Sequence, residues 1–297
     1  MTPSFRAGPV RVRPPASSAN LGPGFDALGL ALTVHDEVEV EITDGGLTVE
    51  IEGEGAADLP RTEDHLLVRS LRLAFDALGG QPPGLRLSCL NRIPHARGMG
   101  SSSAAIVAGL LAARALVDDG VKALDDQAVL ELATSLEGHP DNVAACLLGG
   151  LTIAWTEDGV ARAVRRTPAV GVRPVLFIPE HRALTATARK LLPDQVPHAD
   201  AAANAGRAAL LIHALTADPE LLLPATRDWL HQEYRASAMP ASADLVRALR
   251  GAGIPALISG AGPTVLAFGT GLDPVAGFTV HPVEVDAGGA VARVTHL

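Results

Sequence analysis

Alternating and helical spacings of apolar residues divide this chain into short strands and helices. Residues 37–42 and 47–51 alternate between polar and apolar side chains, which predicts two half-buried strands. Asp44-Gly45-Gly46 lies between them and predicts a hairpin turn. Residues 64–77 place their apolar side chains at helical spacing, which predicts an amphipathic helix. The N-terminal part of the chain is therefore expected to mix strand and helix.

The same two patterns continue to the C-terminus. Further strands are predicted at residues 10–15, 85–90, 151–155, 160–166, 173–179, 254–259, 265–268, 280–285 and 291–294, and further helices at residues 104–117, 125–137, 199–216 and 242–251. Pro168 and Gly171 interrupt the pattern within residues 167–172. We therefore expect two domains, residues 1–168 and residues 169–297.

A glycine-rich loop lies between the predicted strand 85–90 and the predicted helix that starts at Ala104. It contains Gly98, Gly100 and three serines. A strand, a glycine-rich loop and a helix N-terminus together form the arrangement that binds phosphate, because backbone N–H groups and the helix dipole face the anion. An ordinary tight turn with a serine N-cap is the alternative. A Walker-type loop is excluded, since the chain has only two lysines, Lys122 and Lys190, and neither lies here.

Composition narrows the class of protein. The chain has 297 residues, of which 47% are hydrophobic and 19% charged, enough for two modest domains with a shared core. A net charge of −9 without a basic cluster argues against nucleic-acid binding and against docking to anionic membranes. Cys89 and Cys146 lie among apolar residues without metal-ligand spacing, so we expect buried thiols. No apolar run has the length of a signal peptide or a membrane span, which favours a cytoplasmic location.

Two further segments combine polar side chains with turn residues. Residues 15–29 are rich in glycine and small residues and are expected to form a loop, in which Asn20 and Asp26 offer an amide and a carboxylate to a small polar ligand. The alternative is a structural loop with Asp26 as a helix cap. Residues 137–142 place Glu, His, Asp and Asn between apolar helices, although Pro140 and Asp141 could simply begin a helix.

The loop resembles one particular family of enzymes. Pro94-His-Ala-Arg-Gly98-Met-Gly100-Ser101-Ser102-Ser-Ala-Ala105 is similar to the Pro-x-x-x-Gly-Leu-Gly-Ser-Ser-Ala-Ala loop of the GHMP kinases, which phosphorylate small metabolites with ATP. Met99 replaces the usual Leu, and Ser103 stands where Ala is common. Residues 15–26, Pro-Ala-Ser-Ser-Ala-Asn-Leu-Gly-Pro-Gly-Phe-Asp, and residues 137–142, Glu-Gly-His-Pro-Asp-Asn, resemble the signatures of the homoserine kinase branch. Residues 259–264 resemble the third motif of the superfamily.

The resemblance implies a fold and a reaction. The fold is the two-domain α+β GHMP kinase fold, with a ribosomal protein S5 domain 2-like N-terminal domain and a ferredoxin-like C-terminal domain. The reaction is ATP-dependent phosphorylation of the side-chain hydroxyl of L-homoserine, which gives O-phospho-L-homoserine on the way to threonine. A homodimer is common in the family. The alternatives are a GHMP kinase for another alcohol, such as mevalonate or shikimate, and a non-catalytic nucleotide-binding regulator.

The resemblance also assigns roles to residues. ATP is expected at Pro94, His95, Ala96, Arg97, Gly98, Met99, Gly100, Ser101, Ser102, Ser103 and Ala104, with Gly260 and Gly262 supporting the loop. Mg²⁺ is expected at Ser102 and Glu137, with Glu131 as the alternative carboxylate. His139, Asp141 and Asn142 are expected to face the substrate hydroxyl as the catalytic group, and Asn20, Asp26, Thr185, Arg189 and Arg235 to bind the amino acid. His65 stands where the family usually has an adenine-framing Asn, and a surface histidine is its simpler interpretation.

Overall fold

The computed structural model describes residues 3–181 and 188–294. Its strands are β1 (Val10–Arg13), β2 (Pro15–Leu21), β3 (Gly24–His35), β4 (Glu37–Thr43), β5 (Gly46–Gly53), β6 (Gly84–Asn91), β7 (Leu151–Glu157), β8 (Val160–Arg166), β9 (Pro174–Pro179), β10 (Ala256–Ile258), β11 (Val265–Phe268), β12 (Phe278–Pro282) and β13 (Val291–Val294). Its helices are α1 (Leu66–Ala77), α2 (Ser101–Leu116), α3 (Gly120–Ala123), α4 (Asp126–Glu137), α5 (Pro140–Leu148), α6 (His198–Thr216), α7 (Leu222–Ala225), α8 (Gln232–Arg235) and α9 (Pro240–Gly251). Single 3₁₀ turns occupy Pro219–Leu221 and Ala236–Ala238.

The first sheet has the strand order β13-β1-β4-β6-β5. β4 and β5 do not pair with each other, so the predicted hairpin at Asp44-Gly45-Gly46 is wrong. β6 lies between them, antiparallel to β4 and parallel to β5, and α1 forms the crossover. An alternating strand shows which face is buried but not which strand lies beside it, so both pairings fit the same pattern. The crossover buries the apolar face of α1.

The second sheet, β2-β3-β7-β8, contains the segment that the sequence predicts to be a loop. Residues 15–29 instead form β2 and the start of β3, an antiparallel pair that turns at Gly22 and Pro23. Every residue of β2 is buried, which explains why its side chains are small. Asp26 lies within β3, so the predicted helix cap is also wrong.

The third sheet has the order β10-β11-β9-β12, with antiparallel neighbours throughout. This spatial order of the strands is that of a ferredoxin-like domain. Along the chain, α6 to α9 lie between β9 and β10. β13 then returns to the first sheet and pairs with β1. The domain boundary near residue 168 stays a prediction.

α2 is the central helix of the main core. It begins at Ser101, three residues before the predicted start at Ala104, and its apolar residues are buried around much of its circumference. It packs against α1 and α4 and beneath the first sheet. Cys89 and Cys146 are both buried, as predicted. Because α2 packs against several other elements, the position of its N-terminus, where the glycine-rich loop ends, is fixed.

Candidate active site

The loop between β6 and α2 has a backbone that requires glycine. Ala96, Gly98 and Gly100 have φ angles of 54°, 74° and 68°, in the left-handed region. A Cβ atom at Gly98 would lie 2.2 Å from the Ser259 carbonyl oxygen, and one at Gly100 would lie 2.1 Å from the Ser17 hydroxyl. Both positions therefore exclude a side chain, first by conformation and then by space.

Neighbouring segments hold this loop through its backbone. The Ser259 hydroxyl donates to the Gly98 carbonyl at 2.7 Å, and the Ser17 N–H donates to the Met99 carbonyl at 3.1 Å. The Gly262 N and O atoms lie against Gly98, and the Gly260 N–H donates to the Ala19 carbonyl. The segment 259–264 and strand β2 thus fix the loop from two sides.

The loop ends at the open N-terminus of α2. Gly100 is the N-cap, and no side chain caps the helix there. The first N–H groups of a helix lack intrahelical partners and carry partial positive charge. The N–H groups of Ser101, Ser102 and Ser103 therefore have the polarity that an anion requires, and their role as a phosphate site stays a prediction.

The carboxylate of Glu137 lies beside this helix N-terminus. Oε1 of Glu137 accepts hydrogen bonds from the Ser102 hydroxyl at 2.7 Å and from the Ser103 hydroxyl at 3.0 Å. Glu131 is exposed, and its carboxylate accepts from the Gln127 amide at 2.7 Å. Of these two carboxylates, Glu137, at the end of α4, is the one that contacts the first turn of α2.

The start of α5 carries a His–Asp pair in which the Asp is buried and the His is partly exposed. His139 Nδ1 lies 2.6 Å from Oδ1 of Asp141, which also accepts the Asn142 N–H at 2.9 Å. Asp141 has no exposed surface, and its Oδ2 has no hydrogen-bond partner. Burial lowers the pKa of His139, but its bond to Asp141 and the negative charges of Asp141, Glu137 and Asp26 outweigh burial and raise it. His139 and Asn142 reach the cleft wall, while Asp141 lies behind them.

Asp26 and Arg189 form a bidentate ion pair. Arg189 donates to the two carboxylate oxygens of Asp26 at 2.6 and 3.0 Å. The Asn20 side-chain oxygen accepts the Asp26 N–H at 2.8 Å, and both residues have positive φ angles, which Asn and Asp tolerate better than most residues. Asp26 and Arg189 are 163 positions apart in the chain, so the fold creates this pair of opposite charges.

Arg235 lies close by in a buried cluster that includes a residue the sequence did not single out. Arg235 is 1% exposed, and its Nη1 lies 3.3 Å from Nδ1 of His231. Its guanidinium carbon lies 5.3 Å from the centre of the Phe25 ring, on which His231 also stacks. Burial, and then the charge of Arg189, lower the pKa of Arg235. The spacing of His231 and Arg235, four residues apart, was the available signal for this contact.

Many of these groups line one cleft of about 230 Å³, and Asp26 adjoins it through its ion pair with Arg189. Its walls include Asn20, Ala96, Gly98, Met99, Gly100, Ser101, Ser102, Glu137, His139, Asn142, Arg189, Arg235 and Gly260. The loop and its acidic neighbour therefore share one space with the two arginines.

A second cavity, of about 210 Å³, lies on the other side of the loop and is mainly apolar. His65, His95, Ser101, Ser102 and Ala104 contribute to its lining. His65 is 5% exposed, so its interpretation as a surface histidine is wrong. It caps α1, with Nδ1 accepting the Leu67 N–H at 3.2 Å, and its buried Nε2 has no partner. Burial, together with the charges of His95 and Arg61, lowers its pKa, which favours the neutral ring.

Three of the expected site residues need separate mention. The Arg97 side chain donates to the carbonyl oxygens of Pro179 and Glu180 at 3.0 and 2.9 Å, so it joins the loop to the end of β9. Thr185 lies outside the described residues. Pro94 opens the loop at the end of β6.

Comparison with known proteins shows to which family the chain belongs. Residues 65–150 match the family model "GHMP kinases N terminal domain", and residues 201–276 match "GHMP kinases C terminal". The homoserine kinase of Streptomyces coelicolor is 67% identical over 265 residues, which cover 89% of this chain and 86% of that protein. The homoserine kinase of Streptomyces avermitilis is 63% identical over 97% of both chains. The chain belongs to the homoserine kinase family.

A solved homoserine kinase structure extends this result to the fold. The crystal structure of homoserine kinase from Cytophaga hutchinsonii superposes with a TM-score of 0.83, is 26% identical, and covers 98% of this chain and 99% of its own. The expected two-domain α+β GHMP kinase fold is thus confirmed. As a homoserine kinase family member, the protein is a kinase enzyme, and ATP is its expected phosphoryl donor. Among the described residues, no helix combines the length and apolarity needed to cross a bilayer.

Proposed function

We propose that this protein transfers the γ-phosphoryl group of ATP to the side-chain hydroxyl of L-homoserine. The observation that carries the proposal is one cleft whose wall includes an uncapped helix N-terminus, Arg189 with its partner Asp26 beside it, and a second, buried arginine. The first feature suits phosphates, and the second suits a zwitterionic amino acid. The resemblance to homoserine kinases, which the sequence comparison supports, gives the same substrate.

The triphosphate would bind along residues 98–103. Gly98 and Gly100 let the backbone approach closely, and the N–H groups at the start of α2 would donate to phosphate oxygens. The base would occupy the apolar cavity on the other side of Ser101 and Ser102. Because Nδ1 of neutral His65 accepts from Leu67, its Nε2 carries the proton and is free to donate to a ring nitrogen of the base.

Mg²⁺ would bind at Ser102 and Glu137. A hydroxyl and a carboxylate beside the phosphate site fit this ion, which prefers oxygen ligands and commonly takes one or two carboxylates together with substrate phosphates. No group of three or more metal-ligating side chains occurs in residues 3–181 and 188–294, so the phosphates would complete the coordination. When bound, the ion neutralises phosphate charge.

The amino-acid end of the substrate would bind at the charged side of the cleft. Asp26 would bind the ammonium group, and Arg189 and Arg235 would bind the α-carboxylate, with Asn20 holding the Asp26 backbone. The Asp26–Arg189 pair already places a negative charge beside a positive one, as a zwitterion requires. Substrate binding would replace part of that ion pair.

The reacting hydroxyl would lie beside His139 and Asn142. With Nδ1 donating to Asp141, the neutral His139 ring has its acceptor at Nε2. A proton taken there would be stabilised by Asp141, which raises the pKa of the ring. In phosphoryl transfer most of the rate comes from alignment and charge stabilisation, so this proton transfer is a smaller contribution.

The test is ADP release from the purified protein with Mg-ATP and each of L-homoserine, L-serine, L-threonine, mevalonate and shikimate. We expect turnover with L-homoserine well above that with the other alcohols. Preference for mevalonate or shikimate would keep the phosphate site and reject the amino-acid site. ATP binding without turnover of any alcohol would identify a nucleotide-binding regulator instead. The proposal also includes a homodimeric, cytoplasmic enzyme, and light scattering of the purified protein tests the dimer.

A further inference from the structure

The side chain of Arg235 is buried with little to fix it from its own element. α8 is only four residues long, and Arg235 is its last residue. Within the part of the chain that the structure describes, the guanidinium forms no ion pair, and its Nε has no hydrogen-bond partner. A long, flexible side chain needs ion pairs, hydrogen bonds or packing contacts to keep one rotamer. The contacts that Arg235 does make come from His231 and Phe25.

The hydrogen bonds of His231 determine its tautomer. Its Nε2 lies 2.8 Å from the Gly22 carbonyl oxygen, which can only accept, so Nε2 carries a proton. In the neutral ring Nδ1 is then an acceptor, and it lies 3.3 Å from Nη1 of Arg235. His231 is fully buried, and burial lowers its pKa, which keeps the ring neutral and Nδ1 unprotonated. The ring thus joins the β2–β3 turn to the guanidinium.

Phe25 completes the arrangement. The Phe25 ring stacks on His231 with centroids 5.2 Å apart and planes at 26°. The guanidinium carbons of Arg235 and Arg189 lie 5.3 and 5.6 Å from the Phe25 centroid. Arg235 therefore has an aromatic ring beside it and an acceptor at one of its nitrogens.

We propose that His231 is a positioning residue, which holds the Arg235 guanidinium toward the cleft and so sets the affinity for the substrate carboxylate. This inference rests on the proposed function, because it assumes that the carboxylate binds Arg235. It also assigns a role to a residue that has no contact with the substrate. The expected effect therefore lies in KM for the amino acid rather than in kcat.

Two conservative substitutions separate this role from a structural one. In His231→Asn the side-chain oxygen replaces Nδ1 and still accepts from Arg235, but the donor to Gly22 is lost. In His231→Gln the amide nitrogen replaces Nε2 and still donates to Gly22, but the acceptor for Arg235 is lost. The turn keeps a second anchor in both variants, because the Asn204 amide donates to the Pro23 carbonyl at 2.8 Å.

The experiment measures KM for L-homoserine, kcat and thermal midpoint for both variants, with Arg235→Ala for reference. His213→Gln, at an exposed histidine on α6, is the matched control. We expect His231→Gln to raise KM about tenfold with kcat within about twofold, which is the effect of losing one hydrogen bond to a charged group. His231→Asn should keep KM within about threefold. A larger KM effect in His231→Asn than in His231→Gln, or no KM effect in either, would overturn the proposal.

A substrate analogue provides a second measurement. 3-Amino-1-propanol has the hydroxyl and the ammonium group but no carboxylate, so its inhibition constant against L-homoserine should be the same in His231→Gln and in the unmodified enzyme. A parallel loss of affinity for the analogue would mean that the substitution disturbs the whole cleft, which would overturn the inference. If Arg235→Ala raises KM but His231→Gln does not, the inference alone fails. If Arg235→Ala leaves KM unchanged, or L-homoserine is not phosphorylated, the proposed substrate site fails with it.

Discussion

The two ends of the cleft differ in the chemical groups that line them, backbone at one end and charged side chains at the other. The end proposed to bind phosphate, called the phosphate end, consists of backbone: a loop with three left-handed residues, fixed by hydrogen bonds from β2 and from residues 259–264. The end proposed to bind the amino acid, called the amino-acid end, consists of charged side chains, Asp26, Arg189 and Arg235, which come from three distant parts of the chain. Phosphate oxygens are recognised by fixed N–H dipoles, whereas a zwitterion requires full charges of both signs. We therefore expect the phosphate end to tolerate little change of shape and the amino-acid end to respond mainly to loss of charge.

The largest expected effect is at Gly98. Gly98→Ala would place a Cβ atom 2.2 Å from the Ser259 carbonyl at a positive φ angle, so the loop would have to move. We expect kcat/KM for ATP to fall by a factor of about 100 or more, because a displacement of about 1 Å in a positioning element has an effect of that size. Steady-state kinetics at saturating L-homoserine measure it.

Gly253→Ala is the control for Gly98→Ala. It has a positive φ angle of 81° but no atom within 4 Å of an added Cβ, so it tests backbone strain alone. It should retain nearly full activity. Equal losses in the two variants would show that general destabilisation, rather than the shape of the loop, explains the result.

Removing a charge from the amino-acid end should have the next largest effect. We expect Arg235→Ala to raise KM for L-homoserine about 30-fold to 100-fold with a much smaller change in kcat, because the carboxylate is bound in both the ground state and the transition state. KM for ATP should stay within about twofold. A large fall in kcat at unchanged KM would contradict the carboxylate role and the division between the two ends.

Glu137 tests the boundary between the two ends. Glu137→Gln keeps the shape of the side chain but removes the charge proposed to hold Mg²⁺, so we expect kcat to fall about 10-fold to 100-fold and the Mg²⁺ concentration for half-maximal rate to rise. Glu131→Gln, on the same helix and exposed, should have little effect. A larger loss of kcat in Glu131→Gln than in Glu137→Gln would instead assign the metal to Glu131.

The last expected effect concerns stability rather than activity, at the entrance to the phosphate loop, and should leave catalysis least changed. Asp36 accepts the N–H groups of Arg92 and Ile93 at 2.6 and 2.8 Å, and burial raises its pKa from 3.8 to about 6. Between pH 3.8 and about 6, Asp36 therefore binds more protons in the native state than in the unfolded state. Its protonation stabilises the native state fully below about pH 4, and this stabilisation is lost as the pH rises through about 6. The contribution of Asp36 to the free energy of unfolding therefore falls by about 2–3 kcal/mol from the low to the high end of this pH range.

Asp36→Asn should remove this dependence while keeping an acceptor for both N–H groups. Urea unfolding of both proteins between pH 4 and pH 7 measures it. The stability of the variant relative to the original should increase over this range. A constant difference would show that Asp36 does not titrate there.

The phosphate end could be predicted from the sequence because its geometry is local. Gly98, Gly100 and the serines that follow occupy consecutive positions, and their conformations follow from residue type. The strand character of residues 15–29 could not be predicted in the same way, because small residues and glycines suit a loop as well as a strand buried on both faces. Strand pairing at β4, β5 and β6 depends on a crossover that no single strand encodes.

The amino-acid end depends on contacts between distant residues. The motifs indicated Asp26, Arg189 and Arg235, but not that Asp26 and Arg189 pair with each other. His231 was missed because its proposed role depends on Gly22, 209 positions away, which fixes its tautomer. His65 was assigned to the surface because a polar residue before a helix is usually exposed, whereas here the cavity beside the phosphate loop encloses it.

The pairing of β13 with β1 has a consequence for biosynthesis. Val10 faces Val294 across this pair, so the first sheet contains the first strand and the last strand of the described chain. During translation this sheet cannot be completed until β13 leaves the ribosome, so the sheet beside the proposed phosphate site finishes folding only after the third sheet has been made. The same proximity of the two ends should allow a circular permutant, in which a short linker joins them and new termini open in the exposed turn around Gly159.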